Sequence, residues 1–156
     1  MNAPSSAQTR NNRKVTIALV ETAASPLPAM PQAPFGALLV CLAPRPDEKS
    51  VRSLARKLLE AGCGWATLHG GKHTPRLHQW FDDAIVEYQL KQDRNAELMT
   101  SGETEDSLEE AMRDAVWFGF PAYDQPYAEL LVLILGPHPD GLQARSAALA
   151  QTVEQE

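Results

Sequence analysis

No hydrophobic stretch in the 156 residues approaches the roughly 18 that a membrane helix needs, and there are only two cysteines and 6% aromatics. The first absence argues against a helical membrane span. The second argues against a disulfide scaffold, because two thiols in a domain with a real core are ordinary buried side chains. Cys41 and Cys63 lie in apolar strand-like runs and form no Cys-x-x-Cys pair, so no metal site is expected. Met1–Lys14 lacks the apolar segment of a secretory signal, and the expected location is cytoplasmic.

Complete catalytic signatures are missing as well. In His69-Gly70-Gly71-Lys72-His73-Thr74 the lysine is followed by histidine, and position 66 is alanine where a phosphate-binding P-loop needs its first glycine. No Gly-x-Gly-x-x-Gly is present. Thr100-Ser101-Gly102 has Met99 in place of the first glycine of a nucleophile elbow. These departures argue against a P-loop nucleotidase, a standard dinucleotide site and a serine hydrolase. No cofactor is expected, and whether any reaction is catalysed stays open.

What the sequence does contain is 44% hydrophobic and 22% charged residues, the mix of one globular domain. Its net charge of −6 is unevenly spread. Residues 1–76 carry ten Lys and Arg against four Asp and Glu, and residues 77–156 carry four against sixteen. With a sequence pI near 5.2, neither nucleic acid nor a membrane surface is an expected partner. The basic half suits a small anion or an acidic partner.

Val15–Val20 reads as a short strand, and Ser25–Pro34, with four prolines, as an extended connector. Phe35–Ala43 is a continuous apolar run, as in a strand covered on both faces. Asp47 caps a helix that buries Val51, Leu54, Ala55, Leu58 and Leu59, points Lys49, Arg52, Arg56, Lys57 and Glu60 outward, and stops at Gly62. Cys63–His69 is a second strand. After the glycine turn, Thr74 and Pro75 open a helix with Leu77, Trp80, Phe81, Ala84, Ile85 and Tyr88 inward. Ala96–Ser101 is a weaker strand. Asp106 and Glu109 read as a capping box for a helix burying Leu108, Ala111, Met112, Ala115, Val116 and Phe118. The run Leu130–Leu135 makes the last and most apolar strand, and 141–156 a terminal helix.

Strand and helix therefore alternate. This predicts a small three-layer α/β domain, Rossmann-like or flavodoxin-like, with a mostly parallel sheet of four to five strands. The expected order of the four main strands is 2-1-3-4, with the early strand at an edge. Residues 1–34 are expected to be a flexible tail with an edge strand and a Pro-rich connector. Residues 35–136 form the α/β domain, and 137–156 a C-terminal tail or short helix.

Parallel sheets bind ligands at the carboxyl ends of their strands. That rule selects the loops Pro44–Asp47, His69–Thr74, Thr100–Glu105 and Gly136–Asp140, which hold three of the four histidines. A small anion there would meet Arg45, His69, Gly70, Gly71, Lys72, His73 and Glu103, the glycine amides and a helix N-terminus supplying positive potential. His78 and Asp82, one turn apart, are expected to pair. Trp117, Phe120, Tyr123 and Tyr127 would form an aromatic patch for a partner or a second copy.

Met99-Thr100, the acidic cap, Ser107-Leu108-Glu109-Glu110-Ala111 and Trp117-Phe118, with the His78…Asp82 helix after a glycine turn, resemble a family of short uncharacterised bacterial domains. The resemblance spans roughly residues 35–136. It implies a bacterial α/β domain of unknown function and carries over no catalytic residue. Where that pattern has an aromatic and a histidine after Met-Thr, this chain has Ser101-Gly102. Two functions follow from the sequence: a non-catalytic protein-interaction or regulatory module that meets its partner through the acidic half and the aromatic loop, or a domain or enzyme for a small phosphate- or nucleotide-like anion at the carboxyl ends of the strands.

Overall fold

A computed structural model describes residues 3–9, 13–22, 26–118, 127 and 129–152, with Trp117 and Phe118 described by backbone alone. The chain runs β1 (Ser5–Gln8), β2 (Lys14–Val20), β3 (Phe35–Cys41), α1 (Glu48–Ala61), β4 (Cys63–His69), α2 (Thr74–Lys91), β5 (Met99–Ser101), α3 (Leu108–Phe118), β6 (Glu129–Leu135) and α4 (Leu142–Thr152). The six strands form one sheet in the order β1-β2-β6-β3-β4-β5. Only β1 runs antiparallel to its neighbour.

Side-chain alternation along the strands builds two cores. Leu131, Leu133 and Leu135 of β6, with Ala37 and Leu39 of β3, face α1 and α2. Leu130, Val132 and Ile134, with Leu38 and Val40, face α3 and α4. The α/β architecture expected from the sequence is present, with helices on both faces.

The strand order is not the expected one. The four main strands stand as 4-1-2-3, because β6 inserts between β2 and β3. The physical reason is burial: all six residues of Leu130–Leu135 are at most 2% exposed, and a strand apolar on both faces belongs in the centre. The early strand β2 is interior too, because β1 covers its free edge. Ser5–Gln8 reads as tail in the sequence. It is held by backbone pairing from Ser5↔Ile17 to Gln8↔Lys14, a signal that polar side chains do not reveal.

Local signals place the helices. Asp47 caps α1 by accepting from the Ser50 amide at 3.0 Å and the Ser50 hydroxyl at 2.6 Å, which holds its carboxyl below the usual range. Gly62 ends α1 in the left-handed conformation at φ 96°, and a Cβ there would run into the Ala33 methyl. The capping box of α3 lies one residue later than expected. Ser107 and Glu110 exchange it, Glu110 N donating to Ser107 Oγ at 3.1 Å and Ser107 N to Glu110 Oε1 at 3.2 Å.

Candidate functional site

All five parallel strands end on one edge, which brings the four selected loops to the same side of the sheet. The strand order fixes their sequence along that edge. The β6 loop neighbours the β3 loop, the β4 loop follows, and the β5 loop lies outermost. The chain leaves β3 and β4 for one face and β6 and β5 for the other, so two crevices open, at β6/β3 and at β4/β5.

At β6/β3 the space is about 110 Å³, lined by Glu21, Thr22, Arg45, Asp47 and Ser50 among others. That is below the volume of an ordinary ligand pocket. Among the described residues its only lining cation is Arg45, which shares the space with Glu21 and Asp47, and α1's positive N-terminus already serves Asp47. The crevice at β4/β5 is filled by the chain itself. Gly102, at φ 136°, packs so closely that a Cβ would lie 2.1 Å from the Leu68 carbonyl oxygen. His78 Nε2 is 3.2 Å from the Gly102 carbonyl.

His78 therefore does not pair with Asp82. Asp82 Oδ1 instead accepts from Thr100 Oγ1 at 3.0 Å, so each residue ties α2 to the β5 segment. Ser101 is likewise structural: its Oγ accepts from Trp65 Nε1 at 2.9 Å and lies 3.2 Å from Thr67 Oγ1.

His69 ends β4 near Asp106. Burial pushes its imidazole below the ordinary value, and the Asp106 charge opposes that shift. Glu103 is exposed on the β5 loop. Asp114, on α3, is pushed above the carboxylate range by burial and by Asp106, Glu110 and Glu103. Among the described residues no group of three or more His, Cys, Asp and Glu is arranged to hold a metal ion.

At the glycine turn, the Gly70 amide donates to Thr74 Oγ1 at 3.1 Å and the His73 amide to the Gly70 carbonyl at 3.0 Å. Thr74 thus braces the turn and sits inside the helix rather than at its cap. No side chain caps α2, and its first turn has no acid. Lys72, His73 and Arg76 border an open concavity with Trp80, and the Arg76 guanidinium lies 5.9 Å from the Trp80 ring centre. Arg45 lines the β6/β3 cavity, so it and Lys72/His73 line separate concavities.

The larger cluster of cations lies elsewhere, in a groove of about 420 Å³ between α1 and α2. Lys49, Arg52 and Arg56 enter from α1 at helical spacing, Lys91 enters from α2, and Ala84 and Tyr88 add apolar surface. Glu87 bridges the two helices, accepting from Arg52 Nη2 at 3.1 Å and from Lys91 Nζ at 3.0 Å. These cations hold its carboxyl below the usual range, with Lys91 contributing most. The α1 cations are legible as an outward face. Their convergence with Lys91 and Glu87 is tertiary, and only the i, i+4 spacing of Glu87 and Lys91 hinted at it.

Of the aromatic patch, Phe120 and Tyr123 lie outside the described residues, as does the Trp117 side chain. Tyr127 is partly buried beside Gly64, and its carbonyl accepts from Arg13 Nε at 2.8 Å. The sequence places Arg13 in the polar tail. Its side chain is buried, and Nη1 also donates to the Val116 carbonyl at 2.7 Å.

The fold is thus a mixed α/β domain with a mostly parallel sheet, and no helix among the described residues is long and apolar enough to cross a membrane. Residues 17–152 match the family described as "Domain of unknown function (DUF7684)", and the chain belongs to that family. No curated protein and no solved structure matches it.

Proposed function

We propose that this chain is a non-catalytic protein-interaction module of the cytoplasm that takes an acidic segment of a partner along the α1–α2 groove. The observation that carries the reading is the convergence of Lys49, Arg52, Arg56 and Lys91 on one groove. The groove lining sets these four cations against Glu48 and Glu87, and an excess of positive charge in a concavity steers an acidic partner and sets its register. The small space at β6/β3 and the filled crevice at β4/β5 favour this reading over an enzyme working at the strand ends.

The test is fluorescence anisotropy with a labelled deca-glutamate peptide and a deca-glutamine control. The glutamate peptide binds, its affinity falls steeply with salt, and Arg52→Glu/Arg56→Glu abolishes binding. Equal binding of both peptides, or no effect of the double substitution, overturns the proposal.

A second reading, a small phosphate-like anion at the glycine turn, is favoured by the absence of any acid or side-chain cap at the α2 N-terminus. Its test is a thermal-shift titration with inorganic phosphate on the parent and on Lys72→Ala. A ligand at about 100 times its dissociation constant adds about 2.7 kcal/mol, and a shift that Lys72→Ala removes supports this reading.

A further inference from the structure

Among the described residues Glu87 is the one carboxylate that reaches across the α1–α2 groove to cations of both helices. We infer that Glu87 is an internal stand-in for the partner's carboxylate: its head group occupies the seat between Arg52 and Lys91 that an Asp or Glu of the bound segment takes, and the partner must displace it. The inference rests on the groove reading above and names its specificity.

The first support is geometric. Arg52 and Lys91 come from different helices, yet both lie within about 3 Å of one carboxylate, 3.1 Å and 3.0 Å from its two oxygens. The groove therefore fits a carboxylate as it stands. A second support is the charge left over. Among the described residues Lys49 and Arg56 make no ion pair, although Lys49 acts on Asp47 and Arg56 on Glu87 at longer range. A segment carrying two or more carboxylates would meet these two cations, neither held in an ion pair, and then contend with Glu87 for the other two. Exposure is the third. The Glu87 and Lys91 side chains are 50% and 68% exposed, so the bridges are solvent-screened, and bridges of this kind contribute little and break readily. Glu87 can swing out without disturbing the core.

This identifies the ligand class as a peptide segment rich in Asp and Glu. It also makes Glu87 a specificity-determining residue that weakens binding of singly charged ligands. A ligand offering one carboxylate only trades places with Glu87 and gains nothing, whereas one offering several gains contacts with Lys49 and Arg56.

The experiment compares Glu87→Gln with Glu60→Gln in the deca-glutamate anisotropy assay. Glu60 is exposed on α1 and bridges to no cation among the described residues, so its substitution makes the same change of net charge without touching the seat. Freeing two cations from exposed bridges should raise affinity about fivefold in Glu87→Gln, with less than about a twofold change in Glu60→Gln. Glu87→Ala should behave as Glu87→Gln does. Equal gains in Glu87→Gln and Glu60→Gln, or weaker binding by Glu87→Gln, overturn the inference while parental binding sensitive to Arg52→Glu/Arg56→Glu leaves the groove reading standing. Absence of binding in every variant overturns both.

Discussion

Replacing Arg13 by methionine tests whether the segment before β2 belongs to the fold. Arg13 is 2% exposed, and its guanidinium donates to the Val116 carbonyl in the last turn of α3 and to the Tyr127 carbonyl just before β6. It thereby ties the start of β2 to the end of α3 and the entry of β6, three points distant in sequence. Burial lowers its pKa to about 10, so the charge persists at neutral pH. A charged donor's hydrogen bond contributes roughly 1.5–3 kcal/mol, and a cation at a helix C-terminus adds a little more. Methionine keeps most of the apolar stem but removes both donors. Relief of the guanidinium's desolvation offsets part of the loss, leaving about 3 kcal/mol net. In a domain of this size that lowers Tm by roughly 6–12 °C. Urea denaturation followed by circular dichroism, with Tm measured in parallel, gives the answer. Arg13→Lys, able to reach one carbonyl, should fall between the two. A change within about 0.5 kcal/mol for Arg13→Met would refute the reasoning, because that is the range of an uninvolved surface residue.

Four further outcomes follow from the same geometry. Gly102→Ala should cost more than about 2 kcal/mol in urea denaturation, since an L-residue is disfavoured at φ 136° and its Cβ would meet the Leu68 backbone. Leu131→Ala, at a fully buried position of the central strand, should cost about 2–5 kcal/mol by the same assay. The raised pKa of Asp114 means that the fold binds more protons than the unfolded chain between 3.8 and the folded value, so stability falls as pH rises through that window. Asp114→Asn should therefore stabilise at pH 7 and do little at pH 3, read as Tm at each pH. His69 has the opposite sign: its lowered pKa costs stability as pH falls from 6.5 through the folded value, and His69→Gln should flatten that limb of the Tm–pH curve.

Much of this fold was legible because its signals are local. Asp47 and Gly62 bound α1 where the capping rules put them, and the buried positions of α1 and of 108–116 in α3 follow the helical period, the Phe118 side chain lying outside the described residues. The strand order was not legible, because parallel partners are joined through long crossovers and no turn fixes who pairs with whom. One signal was still there: Leu130–Leu135, the most apolar strand, had no edge to spare for solvent. β1 and Arg13 were hidden for the opposite reason. Ser5–Gln8 is held by main-chain pairing, and a buried arginine looks like any polar-tail arginine until its two carbonyl partners are in place.

For the site, the rule of strand carboxyl ends found the right edge but not what fills it. Gly102 folding onto Leu68 depends on contacts between segments, whereas the Asp47 cap at the α1 N-terminus is a local bond to Ser50 that was legible. The groove between α1 and α2 needs two helices side by side before Arg52 and Lys91 can share Glu87.

The most direct test of the proposed groove is a titration of the ¹⁵N-labelled protein with deca-glutamate, followed amide by amide. The account predicts shifts concentrated at Lys49, Arg52, Ser53, Arg56, Tyr88 and Lys91, the residues around the groove. Shifts centred on Gly70–Thr74 instead, or a spectrum unchanged at peptide excess, would contradict it.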